Sequence, residues 1–260
     1  MPLKPRLSPQ ADVTVSVVSH GQEVLVKALL DDLSKYASER VGRIILTHNL
    51  GHAGASFYKE NKPERCFEIS NGRPRGFGAN HNAAFALCET EWFAVINPDI
   101  RLNRDVFSDL IARAQPEDVV LAPSLLDPAT GNVASNRGLL TPLEIVRRRM
   151  PGWHPRGAVV WLPGAFLLLR AAAFRHVGGF DERFFLYAED FDLSARLRLA
   201  GGQLHYAPEL QVTHAAQRSS HWRWRYLLWH ATSLFRLWTA PNFWRYCALL
   251  HKDTIVRDAD

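Results

Sequence analysis

The densest set of chemically capable side chains in this sequence is Glu189-Asp190-Phe191-Asp192, three carboxylates in four residues. Leu193, Leu197 and Ala200 follow at helical spacing and Gly201-Gly202 supplies a stop, so the acids fall in the first turn of a helix. Glu189 and Asp190 stand three or four residues before the apolar stripe and share its inward face. Acids in such a turn can simply complement the positive helix end, for about 0.3–1 kcal/mol. Phe180, Phe184, Phe185 and Tyr187 run up to them, and a carboxylate walled by aromatic rings is the kind of group that serves as a general base.

Asp99 is the second candidate. It closes Asn97-Pro98-Asp99 directly after the apolar run Trp92–Ile96, where a strand would deliver a hard oxygen ligand to a metal diphosphate. Asn-Pro-Asp is also good turn chemistry. His214 ends a short β-like run, Gln211–Thr213. A lone histidine is more often structural than a ligand, but paired with Asp99 and a diphosphate it would complete a shell suited to Mn²⁺ or Mg²⁺. His20, His48 and Asn49 also follow strand-like runs. A glycine loop, Asn71 to Gly78, leads into a helix expected to begin near Asn80. It could offer backbone N–H groups to phosphate, with Arg73 and Arg75 adding charge. As a dinucleotide fingerprint it fails at His81, where the third glycine should stand, and a plain turn is the alternative.

The elements that must position these groups alternate. Val13–Ser19, Arg43–Thr47, Cys66–Ser70, Trp92–Ile96 and Val119–Leu125 read as strands, and helical patterns run through Val24–Leu33, Asp105–Ala114 and Thr141 onward. Thr141-Pro142-Leu143-Glu144 is a capping box, and its helix carries Arg147, Arg148 and Arg149, either a solvated face or an anion contact. Val159–Leu169 continues the core, while Leu204–Tyr206 and Gln211–Thr213 read as two separate short strands. Strands alternating with helices imply an α/β fold with a largely parallel sheet, whose ligands bind off the carboxyl ends of the strands. From about residue 216 the chain changes character. Trp222, Trp224, Tyr226, Trp229, Phe235 and Trp238 interleave with Arg218, His221, Arg223, Arg225, His230 and Arg236, until Pro241 opens a last helix. That mixture suits a lipid–water interface; single-stranded nucleic acid or packing onto the domain could use it equally.

Three regions follow: a tail (1–12), a main domain (13–215) and an aromatic, basic extension (216–260). At 260 residues, 47% hydrophobic and 22% charged, the chain can bury a large core, which excludes wholesale disorder. A net charge of +5 favours an anionic partner. Three cysteines without metal spacing argue against a disulfide framework and fit a reducing compartment. The first residues lack an apolar signal core and no apolar run reaches the ~20 residues of a spanning helix, so membrane contact is expected to be peripheral.

Val17-Val18-Ser19-His20, Gly76-Phe-Gly-Ala-Asn-His-Asn, Asn97-Pro-Asp-Ile, Gly178-Gly-Phe-Asp, Phe185-x-Tyr187-x-Glu189-Asp190-x-Asp192-Leu and His214 occur in the order found in family 2 glycosyltransferases. Over about residues 13 to 238 the chain resembles that family, and within it the bacterial rhamnosyltransferases that extend polyprenyl-diphosphate-linked N-acetylglucosamine. The resemblance implies a GT-A fold, a mixed and mostly parallel sheet flanked by helices with a C-terminal helical extension. It implies an inverting, Mg²⁺- or Mn²⁺-dependent enzyme at the inner face of the plasma membrane, with a nucleotide-sugar donor, dTDP-rhamnose favoured, and no nucleic-acid partner. Asp190 would be the base and Glu189 an acceptor contact. Asp99 and His214 would hold the metal, while Ser19, His20, His48, Asn49, Gly78, Asn80, Asn97 and Arg236 would line the donor. His48 stands where many members carry an aspartate, which leaves thymidine and uridine donors both open, and Asn97 replaces the first acid of the family's metal motif. A different class of reading is a non-catalytic protein that binds lipid or nucleic acid through the Arg/Trp-rich tail.

Overall fold

The structure, a computed structural model, describes residues 11–37, 39–51, 64–134, 138–150, 152, 159–215 and 223–257. Most of the expected tail, the extension's Arg218, His221 and Trp222, and the boundary near 216 lie outside the described residues.

Val13–Ser19 (β1) is β-branched at five of seven positions and buried throughout, as a central strand covered on both faces should be. It pairs in parallel with Val41–His48 (β2) on one side and Trp92–Ile96 (β4) on the other, and Cys66–Ser70 (β3) adds beyond β2. Past β4 the sheet turns mixed. Phe166–Arg170 (β8) runs antiparallel to β4, Asp118–Leu126 (β6) antiparallel to β8, Gln203–His214 (β9) parallel to β6, and Ile100–Arg101 (β5) antiparallel to β9. The order is β3-β2-β1-β4-β8-β6-β9-β5, with Val133–Ala134 (β7) on β6. β1, β2, β3, β4, β6 and β9 therefore point the same way. Their carboxyl ends form one edge, and the amino end of the reversed β8 opens onto it.

Side-chain alternation sorts the core onto two faces. Val13, Val15 and Val17 pack with Glu23–Tyr36 (α1) and Val106–Ile111 (α3). Phe93 and Val95 pack on the other side with Phe77–Phe85 (α2), Ala171–His176 (α5) and Glu189–Leu199 (α6). Pro142–Arg147 (α4), capped by Thr141 as its sequence predicts, buries none of its residues. Arg148, from the basic run, spends its guanidinium on the Gly138 and Leu139 carbonyls, while Arg147 and Arg149 stay exposed. Arg223–Thr239 (α7) and Pro241–Arg257 (α8) close the fold: Leu237, Phe243 and Tyr246 share a third cluster with Phe184, Phe191 and Trp161, so packing onto the domain holds for one face of the extension.

Two expectations about elements change. Leu204–Tyr206 and Gln211–Thr213 are one twelve-residue strand, interrupted where the register shifts between the pairs at Pro123 and Ser124. Pro208 lacks an N–H to give the ladder, and the bulge it creates lets Ser124 Oγ donate to the Leu210 carbonyl. The helix expected near Asn80 begins at Phe77, and the Asp105 helix is shorter than its pattern, ending at Ile111.

Candidate active site

The carboxyl edge collects most of the candidates because strand direction puts them there. Asp99 sits two residues past the loop start at Asn97, and β5 carries its backbone alongside β9, where the Asp99 carbonyl accepts from the Ala215 N–H at 3.1 Å. That pairing brings Asp99 Oδ1 to 3.4 Å from His214 Nε2. The Oδ1 atom is buried and meets no hydrogen-bond donor among the described residues. A buried acceptor left without a donor costs about 1–3 kcal/mol and marks a place for a cation or an added donor.

Asp190 belongs to the same edge. The Asn97 N–H donates to the Ala165 carbonyl at 2.9 Å, and the adjoining Gly164 N–H donates to Asp190 Oδ2 at 3.1 Å. Two hydrogen bonds through the start of β8 thus join the Asp99 loop to the Asp190 turn. Asp190 Oδ1 accepts from the Phe191 N–H at 2.9 Å, which fixes the carboxylate's orientation.

The three acids of the turn diverge. Asp192 is buried and paired with Arg196 at 2.7 Å. Glu189 is 5% exposed, and its Oε2 has no hydrogen-bond partner among the described residues. Burial, then the neighbouring Asp190 charge, pushes the Glu189 carboxyl up to about 8. Glu189 is therefore protonated at neutral pH beside Asp190, and two neighbouring carboxyls driven apart in this way take different chemical roles.

The turn itself is strained. Tyr187 (φ 72°) and Ala188 (φ 65°) are consecutive left-handed residues, neither of them glycine, at a cost of about 1–3 kcal/mol each. Packing on both sides holds them. The Phe77 N–H donates to the Phe185 carbonyl at 2.9 Å, and Ser233 Oγ of α7 donates to the Leu186 carbonyl at 2.8 Å. Tyr187 stacks on His230, and Phe185 meets Trp229 in a tilted ring contact. The expected aromatic wall is thus a clamp in which α7 shares: Phe184 is buried in the third cluster, and Phe180 lies over α2 against Phe77.

The glycine loop has a packing role as well. A Cβ on Gly76 would come within 2.9 Å of the Phe185 carbonyl oxygen, and one on Gly78 within 2.6 Å of Phe180 Cβ. Both glycines therefore permit close approach of the loop and α2 to the acid-bearing segment. Asn49 and Asn80 are fully buried, and their amides serve the loop. Asn49 Oδ1 accepts from the Asn71 side chain at 2.7 Å and the Arg75 N–H at 2.8 Å, and Asn80 Nδ2 donates to the Gly76 carbonyl at 3.0 Å. Both amides thus tie the Asn71–Gly76 loop to the ends of β2 and α2.

The family model for glycosyl transferase family group 2 matches residues 92–252, which contain both acid loops and His214. The chain belongs to this family. It is 28% identical to the rhamnosyltransferase WbbL of Escherichia coli K12, over 92% of this chain and 99% of that protein. It is 31% identical to the N-acetylglucosaminyl-diphospho-decaprenol L-rhamnosyltransferase of Mycobacterium tuberculosis, over 82% of this chain and 77% of that protein. Among solved structures, the mannosyltransferase PcManGT from Pyrobaculum calidifontis in complex with GDP-Man and Mn²⁺ superposes with a TM-score of 0.63 over 98% of this chain and 84% of its own, at 14% identity. The fold is GT-A, and the protein is a glycosyltransferase.

In this glycosyltransferase Ser19 and His20 stand at the end of β1, where Ser19 Oγ accepts from the Gln22 N–H and His20 Nδ1 lies 3.3 Å from Asn49 Nδ2. His48 is buried at the end of β2 with Nε2 3.7 Å from Glu68. Arg236 stands on α7 with its guanidinium 6.0 Å from the centre of the Phe184 ring. It lines a cavity of about 820 Å³ with the Val177–Arg183 segment, Asp192 and Arg196, which includes none of the other expected donor residues. Three contributors escaped sequence reasoning: the left-handed pair, because neither residue is glycine; Gly164, within a run expected only to continue the core; and Ser233, whose partner is 47 residues away.

Proposed function

We propose that this glycosyltransferase moves L-rhamnose, with inversion, from dTDP-L-rhamnose onto a polyprenyl-diphosphate-linked saccharide at the inner face of the bacterial plasma membrane, in surface-polysaccharide synthesis. The donor and acceptor classes follow the two rhamnosyltransferase relatives, one of which is named for a diphospho-decaprenol-linked N-acetylglucosamine. The observation that carries the reading is the hydrogen-bonded link from the Asp99 loop to Asp190 through Ala165 and Gly164, at the one edge where a GT-A sheet presents its ligands.

A divalent cation, Mg²⁺ or Mn²⁺, fits Asp99 and His214: the buried Oδ1 without a donor and the adjacent imidazole are the oxygen and nitrogen ligands such an ion takes. Among the described residues no cluster of three ligating side chains exists, so the donor diphosphate and water would supply the remaining ligands. Bound there, the ion would neutralise charge on the leaving diphosphate, an effect of several kcal/mol. Asn97 holds the Asp99 loop against the start of β8, and Ser19 and His20 face the donor from β1. Asp190, aimed by the Gly164 and Phe191 N–H groups, accepts the proton of the acceptor hydroxyl as that oxygen attacks the anomeric carbon. Glu189 keeps its own proton and contacts the acceptor as a neutral donor. Holding donor and acceptor in line supplies much of the remaining acceleration.

The test is a panel of nucleotide sugars with divalent metal and a short-lipid diphospho-N-acetylglucosamine acceptor. Metal-dependent consumption of dTDP-rhamnose is expected. Asp190→Asn should retain donor binding and lose ~10²- to 10⁴-fold in rate, the range for removing a general base. Wild-type turnover by that variant would reassign the base, and indifference to every donor would overturn the substrate class.

A further inference from the structure

We propose that the outer face of α7, with the adjoining face of α4, is a docking surface for a bilayer bearing anionic headgroups, and that Arg236 contacts the headgroup phosphate. In α7, Trp224, Leu227, Leu228 and Phe235 are 64%, 70%, 54% and 68% exposed. Their spacing from Trp224 is i+3, i+4 and i+11, with the exposed Ala231 at i+7, so they form one stripe about 17 Å long at 1.5 Å per residue. The opposite face, carrying Ser233 and Leu237, is the one packed on the protein. An amphipathic helix ordinarily turns its polar side outward. This one turns its apolar side outward and keeps Ser233 within.

A second observation is independent of the first. On and just after α4, Leu143, Val146 and Met150 are each more than half exposed, on either side of the exposed Arg147 and Arg149. The two helices are tied together where Trp238 Nε1 donates to the Leu140 carbonyl at 2.8 Å. Trp244, also half exposed, donates to the Trp238 carbonyl at the same corner. Exposed apolar surface on neighbouring helices, bordered by arginine and tryptophan, is the composition that partitions into a headgroup layer.

Charge points to anionic lipid. The cavity lined by Arg236 opens along the flank of the stripe, with Phe235 common to both. Its two aspartates are already matched, Asp181 to Arg183 and Asp192 to Arg196. Arg236 is exposed, and among the described residues no carboxylate lies within ion-pair distance of it, so one guanidinium is left for a phosphate beside an apolar strip. No described helix is long and apolar enough to cross a membrane, so this contact lies in the plane of the interface.

The proposal builds on a lipid-linked acceptor, but vesicle binding measured without any substrate can fail while that reading stands. The full chain is sedimented with phosphatidylcholine vesicles, with and without phosphatidylglycerol. Wild type should bind the mixed vesicles more tightly. The combined variant Trp224→Ser, Leu227→Ser, Leu228→Ser should bind both kinds about tenfold or more weakly. Arg236→Ala should lose affinity only for the anionic vesicles, by about fivefold. The serine variant changes exposed residues only, so its melting temperature and its rate on a water-soluble acceptor should match wild type while its rate on vesicle-embedded acceptor falls. Unchanged vesicle binding by the serine variant would overturn the proposal. So would stabilisation by inorganic phosphate with no vesicle binding, retention of single-stranded DNA in place of vesicles, or a dimer that the serine substitutions dissociate.

Discussion

Glu189→Gln should remove a pH dependence of stability that the buried carboxyl imposes. The substitution keeps the side chain's size and replaces a group that is 5% exposed, has an unpartnered Oε2, and is held up from 4.5 to about 8 by burial and by Asp190. Below pH 4.5 Glu189 is protonated in both folded and unfolded chains and costs nothing. As pH rises from 4.5 towards 8 the unfolded chain releases the proton and the folded protein retains it, so stability falls by up to about 1.4 kcal/mol per pH unit. By pH 8 the cost reaches several kcal/mol, and above it the difference levels off because both states are ionised. Glutamine has no such proton. The variant's stability relative to wild type should therefore climb through this window and then flatten.

Urea unfolding of both proteins from pH 4.5 to 9, extrapolated to water, measures the difference directly. Asp192, also raised by burial, is common to both proteins and cancels. A difference that stays constant within about 0.5 kcal/mol across the window would refute the reasoning, since a group with an ordinary carboxyl pKa adds no slope there. Asp190→Asn removes the second cause of the shift and should cut the decline short at its high-pH end, because a lowered Glu189 pKa lets the folded protein ionise sooner and shrinks the total loss; the midpoint of the flattening should fall below 8.

Gly78→Ala should destabilise by about 1–3 kcal/mol, read as a fall in melting temperature, because its Cβ would stand 2.6 Å from Phe180 Cβ on a packed face. Ser233→Ala should cost about 0.5–1.5 kcal/mol by removing the donor to the half-buried Leu186 carbonyl, and it should lower kcat more than donor affinity if α7 holds the strained Tyr187–Ala188 turn in its reactive shape. Asp99→Asn should weaken divalent-metal binding, measured by titration, and reduce turnover ~10²-fold or more, in line with the several kcal/mol a Lewis acid supplies; a variant with unchanged metal affinity would remove Asp99 from the metal site.

Much of this arrangement was legible in the amino-acid sequence, for a specific reason. The end of a buried strand is marked by where its β-branched or aromatic run stops, so Ser19, His48, Asp99 and His214 could be placed at strand ends from local pattern alone. A parallel sheet then gathers those ends at one edge without further instruction. Glu189 and Asp190 were legible for the same kind of reason, a helix whose first turn is fixed by its own apolar spacing and its Gly201 stop. What local pattern does not carry is the identity of the surface each group meets. Gly76 and Gly78 look alike whether backbone N–H groups are to be bared to phosphate or a neighbouring Phe180 and Phe185 are to be admitted, and here the second holds at both.

The same limit applies to Asn49 and Asn80. An asparagine at a strand end has the same letters whether its amide faces a ligand or, as here, ties the Asn71–Gly76 loop to the sheet, and only the paired distances decide. The left-handed pair Tyr187–Ala188 is the sharper case. Local preference argues against that backbone at both residues, so it persists only because Phe77, Ser233, His230 and Trp229 hold it from two directions. All four restraints come from α2 and α7, each more than forty residues away, one helix before the acid turn and one after it in the chain. α7 therefore couples the two ends of the proposed chemistry. Its inner face holds the turn beside Asp190, and its outer face is the surface proposed for the lipid, so docking and alignment of the proposed base would depend on the same seventeen residues.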